Sequence, residues 1–194
     1  LRLAAAFLAI ALLAGQARAE EALPARNQAL LLLRVLAYDR GLRARAGEAA
    51  TVGVAFRPGE PASEAARDAM AAELTRAAET FSVSGLPVKV IAVPWARGGP
   101  APRLPADRLA ALYVAAGLEA EAAAIARETR ARRILTFTPA RASVEAGLSV
   151  GLVNRGSRAG LLLNRTGVRA EGADLDSALL AIAEVVEGSG GARP

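Results

Sequence analysis

Residues 133–164 read RILTFTPARASVEAGLSVGLVNRGSRAGLLLN, and this stretch decides the fold. Ile134, Leu135 and Phe137 form a short apolar run that Pro139 ends, as a buried strand does. Leu148 to Val153 and Gly160 to Asn164 are two more apolar runs. Arg155 to Ala159 lies between them and carries Gly156, the signature of a turn joining a β-hairpin. Pro139 to Ala146 reads as a short helix or turn.

Working outward, upstream strands alternate with helices. The spacing predicts a helix over Leu23 to Tyr38, a strand over Ala50 to Phe56, a helix over Glu64 to Thr80 capped by Ser63, and a strand over Pro87 to Val93. Trp95 to Pro105 is a Gly/Pro-rich loop. Leu109 to Ala115 is a strand and Leu118 to Arg132 a helix. Downstream, Asp174 is placed to cap a last helix, Leu175 to Val186, with Leu179, Ile182 and Val186 on one stripe. Alternation of this kind makes a mostly parallel sheet, and the late hairpin makes it mixed. The expected fold class is therefore α/β, a single three-layer domain with a mixed, mostly parallel sheet flanked by helices and ending in a hairpin plus helix. The run Val88 to Val93, apolar but for Lys89, suggests a strand buried on both faces.

The first nineteen residues have the parts of a secretion signal. Arg2 gives a positive start, Leu3 to Ala14 is apolar, and Ala17-Arg18-Ala19 is a small-x-small cleavage pattern. A span would need about 20 apolar residues. The expected organisation is a signal peptide at 1–19, a domain at 20–187 and a disordered tail at 188–194, with the mature protein in the periplasm and not inserted in the membrane.

Composition narrows the chemistry. The chain has 194 residues, 24 basic and 19 acidic, for a net charge of +5; it contains no Cys and no His. A His-dependent triad, a Cys nucleophile and a His/Cys metal cluster are all ruled out. No cofactor motif is present, because the lone lysine, Lys89, lies in a strand and not in a phosphate loop. The arginines are interspersed with acids, and aromatics are few, which argues against nucleic acid as a partner. Carboxylate catalysis would have to draw on Asp39, Glu60, Asp107 and Asp174, which form no recognisable constellation. The chain is accordingly read as non-enzymatic.

Two short segments are candidate partner-binding sites. Tyr38-Asp39-Arg40 follows the first helix, with Tyr38 a possible anchor and Arg40 a hydrogen-bonding fork; the alternative is a packed Tyr38 with solvated Asp39 and Arg40. Trp95 beside Arg97 is either an exposed anchor or a ring covering the sheet's end. Asn164 reads as a residue that ends a strand by bonding nearby backbone.

The order Ile134-Leu135-Thr136-Phe137, Gly147, Val150-Gly151-Leu152-Val153, Leu161-Leu162-Leu163-Asn164 and Leu179-Leu180-Ala181-Ile182-Ala183 resembles the YfiR-like family of bacterial periplasmic proteins. Thr51-Val52-Gly53-Val54 after an apolar helix fits the same pattern. The resemblance implies a regulator that binds the periplasmic sensory domain of an inner-membrane diguanylate cyclase and holds it inactive, and it leaves a homodimer open. Many members carry disulfides; redox control does not carry over to a chain without cysteine. A second reading is a small-solute-binding module or transporter accessory, with its ligand at the strand C-termini.

Overall fold

The computed structural model of the chain describes residues 23–96, 108–156 and 158–187; the expected signal peptide, the tail at 188–194 and Arg97 lie outside them. The first helix, α1 (Ala25–Ala37), starts behind Pro24, whose fixed φ suits a helix start. A one-turn helix, α2 (Leu42–Ala46), leads to strand β1 (Ala50–Phe56). Then follow α3 (Pro61–Ala78), β2 (Val88–Pro94), β3 (Leu109–Val114), α4 (Ala122–Arg132) and β4 (Leu135–Thr138). The chain continues through α5 (Arg141–Glu145), β5 (Val150–Arg155), β6 (Arg158–Leu163), α6 (Arg165–Ala170), α7 (Ser177–Ile182) and β7 (Glu184–Val185).

The seven strands form one sheet in the order β2-β1-β3-β4-β5-β6-β7. β1 to β5 run parallel, β6 returns antiparallel to β5 as the expected hairpin, and β7 pairs parallel to β6. Alternating side chains supply two cores. Val52, Val54, Tyr113, Leu161 and Leu163 pack beneath α1, α3 and α7, whereas Leu112, Val114 and Leu148 pack against α4. Leu162 and Val153 meet Val144 of α5. This is the three-layer arrangement the alternation required.

Four local expectations change. α3 begins at Pro61, two residues ahead of Ser63, because Pro at N1 already starts the helix. Ser63 instead uses its hydroxyl on the loops, accepting from the Arg57 N–H (3.0 Å) and donating to the Ala116 carbonyl (3.2 Å). β2 is an edge strand with exposed Lys89 and Ala92, not a strand buried on both faces. The last helix is capped by Asp176, which accepts from the Ala178 N–H (2.8 Å), and it stops at Ile182 where β7 takes over.

Candidate functional site

The segment after α1 divides Tyr38-Asp39-Arg40 by burial. The Asp39 side chain is sealed from solvent, accepts N–H bonds from Gly41 and Asp174 (both 2.9 Å), and forms an ion pair with the largely buried side chain of Arg45. Arg45 also donates to the carbonyls of Ala110 (3.1 Å) and Arg133 (3.0 Å), which ties the loop to the starts of β3 and β4. Asp39 is therefore a structural tie, neither solvated nor available for recognition. Its neighbours are pinned by backbone bonds from Arg40 N to Asp174 O (2.9 Å) and from Asp176 N to Tyr38 O (3.0 Å). Those bonds present Tyr38 outward, 49% exposed, and bring the Arg40 guanidinium to Asp176 at 2.6 Å.

Tyr38 is the shared wall of two depressions. One is apolar, about 480 Å³, and lined by Leu31, Arg34, Phe81, Leu179 and Ile182 among others. The other, about 300 Å³, is polar and carries Arg40, Arg43, Ser84 and Asp176. Ile182 is 73% exposed, a large apolar side chain left in water at the end of α7. Leu179, Ile182 and Val186, expected on one helical stripe, do not share one. Because α7 ends at Ile182, only Leu179 of the three faces the core from the helix, while Val186 is buried beyond β7. Phe81 gave no signal in the sequence, since it stands in the polar turn after α3.

Trp95 lies at the opposite end of the sheet. Its backbone N–H donates to the Phe56 carbonyl (2.8 Å) and its ring is buried with Val93, Leu112 and Val114, so it does not present an exposed anchor. The C-terminal ends of β1 and β3 mark the point where the chain winds both ways, the usual ligand crevice of such sheets. Here Arg57 fills it. Its buried guanidinium donates to Gly117 O (2.9 Å) and Glu121 (2.7 Å) and pairs with Glu60 (3.0 Å). The candidate carboxylates are thus not brought together: Asp39 serves Arg45 at one end of the sheet, Glu60 serves Arg57 at the other, Asp174 offers its backbone to Asp39 and Arg40, and Asp107 is outside the described residues. Among the described residues no group of three acidic side chains is placed to hold a metal.

One buried acid carries no signal in the sequence. Glu171, directly after α6, is fully buried and receives Thr129 Oγ1 (2.7 Å), the Thr136 N–H (2.9 Å) and the hydroxyls of Thr136 and Ser149. Burial pushes its carboxyl up to about 7 against the pull of those donors, and no neighbouring charge contributes. Asn164 does what its position suggested, ending β6 and capping α6 through the Gly167 N–H (3.0 Å).

Comparison with known proteins places this geometry. No curated protein matches the chain. Among the solved structures that share the fold, three show its extent. A substrate-binding protein with adhesive properties from Clostridium difficile is 14% identical, with TM-score 0.54, over 77% of this chain and 58% of its own. A conserved domain protein from Vibrio cholerae is 13% identical, TM-score 0.57, over 84% and 60%. The ABC domain in complex with L-Trp from Streptococcus pneumoniae is 15% identical, TM-score 0.53, over 84% and 60%. The chain therefore spans less than two thirds of each of these proteins. Among the described residues no helix is long and apolar enough to cross a membrane. The DUF4154 family model, YfiR/HmsC-like, matches residues 64–184, from the first turn of α3 to β7 and so more than half of the chain; the protein belongs to the YfiR/HmsC-like family.

Proposed function

We propose that the protein is an exported, non-enzymatic regulator that docks on the periplasmic sensory domain of an inner-membrane signalling protein of the diguanylate cyclase type. The observation carrying this reading is the continuous surface around Tyr38, with Phe81 and Ile182 exposed on one side and Arg40 and Arg43 on the other. The family membership supports the same class of function. In this reading the leader at 1–19 is removed on export.

The surface suits one kind of docking element. From Leu31 to Tyr38 the α1 wall runs about 10 Å, two helical turns. Arg34 lines the apolar depression and Arg40 and Arg43 the polar one, whose two acids are already committed: half-buried Asp176 to Arg40 and Asp39 to Arg45. A partner helix with an apolar ridge and acidic flanks complements both features. Docking there stabilises whichever sensor conformation presents that helix, which is how a binding protein without chemistry holds an enzyme inactive.

A solute-binding reading is less well supported, because Arg57 and its carboxylate partners occupy the crevice where such a ligand would sit. Capture from envelope extracts tests the proposal. The mature protein is expected to retain a membrane sensor carrying a cytoplasmic cyclase domain, and Ile182→Asp to lose it. Retention of no such sensor, or equal retention by the variant, overturns it.

A further inference from the structure

The cradle around Glu171 serves both protonation states. The ionised carboxylate takes hydrogen bonds from α4, β4 and the residue before β5, but no cation answers its charge. The Thr129 hydroxyl lies 3.1 Å from Ile125 O and 3.2 Å from Ala126 O, besides 2.7 Å from Glu171. When Glu171 carries a proton on Oε1, Thr129 accepts it and turns its own hydrogen to a carbonyl of α4. The Thr136 N–H and the Ser149 hydroxyl keep the other oxygen. Each state is thus hydrogen-bonded, and the difference between them is an uncompensated buried charge, which favours any opening that admits water.

The charged groups on the surrounding elements do not relieve it. Arg130 of α4 donates to Gly147 O (2.9 Å), and Arg133 lies along Gly172. Arg165 and Arg169 of α6 line a shallow depression with Asp174 and Leu180. β4 and the residue before β5 present only Thr136 and Ser149 there. Five residues join Glu171 to the docking surface. Gly172 turns the chain at φ 74°, and Asp174 to Asp176 then form the strap bonded to Tyr38, Asp39 and Arg40.

We propose that Glu171 is a proton-operated latch: its neutral form holds the end of α6 and the 173–176 strap closed under the Tyr38 surface, and its ionisation loosens them. The consequence for partner affinity, tighter in mildly acid than in mildly alkaline surroundings, rests on the docking function proposed above; the latch itself does not.

Hydrogen exchange of the mature protein and of Glu171→Gln, corrected for the intrinsic pH dependence of exchange, tests the latch without any partner. With a carboxyl at about 7 in the closed state and 4.5 when hydrated, opening of residues 171–176 rises about 30-fold between pH 5.5 and 8.5 in the wild type. Glu171→Gln, which mimics the neutral acid, is expected to show a flat profile. Equal pH profiles for the two proteins overturn the proposal. If the variant does not fold, ¹³C titration of the wild-type carboxyls decides: a Glu171 midpoint near 7 supports the latch and one below 5 overturns it. Binding of the captured sensor should then weaken from pH 6 to 8 for the wild type only. A decline shared by the variant overturns the coupling to docking while leaving the docking surface standing.

Discussion

Replacing Asp39 by alanine separates a structural role from a recognition role. Asp39 is 3% exposed and is the carboxylate partner of Arg45, whose side chain is only 7% exposed. Removing one member of a buried pair strands the other charge and costs about 3–5 kcal/mol. The N–H groups of Gly41 and Asp174 also lose their acceptor, although both lie near enough to the surface for water to replace part of it. The expected loss is about 4 kcal/mol, a large share of the roughly 5–15 kcal/mol that holds a domain together. For a domain of this size that is a fall in Tm of about 10 °C. Urea unfolding followed by circular dichroism measures it, and the companion variant Arg45→Met should recover part of the loss when combined with Asp39→Ala, since no charge is then stranded. A loss under about 1 kcal/mol for Asp39→Ala would refute the assignment and return Asp39 to the list of residues free to meet a partner.

Other outcomes follow from the same geometry. Ile182→Asp, at a side chain mostly in water, should change stability by less than about 0.5 kcal/mol and Tyr38→Ala, at a half-exposed ring, by about 1 kcal/mol at most, yet each should weaken sensor binding more than about 10-fold in titration calorimetry. Trp95→Ala should cost about 3–5 kcal/mol in urea unfolding, as expected of a ring buried at 3% exposure. Gly151→Ala should cost about 1–3 kcal/mol, because the added Cβ would meet Leu162 Cβ at 2.9 Å and Val144 at 3.0 Å. Glu171 favours the proton in the folded state, so its contribution to stability is complete below pH 4.5 and is lost as pH rises through about 7. Relative to Glu171→Gln, the wild type should therefore lose on the order of 3 kcal/mol across that window, read from urea midpoints at a series of pH values.

Much of the fold was legible because the relevant signals are local. Ala50 to Phe56 is apolar and bounded by Gly47 and Pro58, and β1 occupies those residues. The hairpin followed from two apolar runs around Gly156, whose φ of 64° suits the turn. The rest depended on tertiary placement. An apolar run does not say whether its strand is central or at an edge, and β2 is at the edge. α2 has only Leu42 and Ala46 to bury and hides between two glycines. α6 contains Gly167, ordinarily a mark against a helix, and its reason is visible only in three dimensions: a Cβ there would meet Ser149 Oγ at 2.8 Å.

The candidate site was legible in part for the same reason. Tyr38 and Arg40 were found because a polar-aromatic segment interrupts the chain after an apolar helix. The Tyr38–Arg40 and Trp95 segments, read alike in the sequence, lie at opposite ends of the sheet, which no local pattern records. Ile182 and Phe81 come to the surface through the end of α7 and the turn after α3. Glu171 is recognisable only once Thr129, Thr136 and Ser149, which precede it by 42, 35 and 22 residues, converge on it.

Photo-crosslinking in intact cells of the native host tests the central claim most directly, with a photoreactive residue placed at Ile182 on the proposed surface or at the exposed Ala123 on α4, across the sheet. A crosslink from position 182, and none from 123, to an inner-membrane protein with a cytoplasmic diguanylate cyclase domain is the predicted result. No such adduct from position 182, or one of equal yield from 123, contradicts docking through the Tyr38 surface.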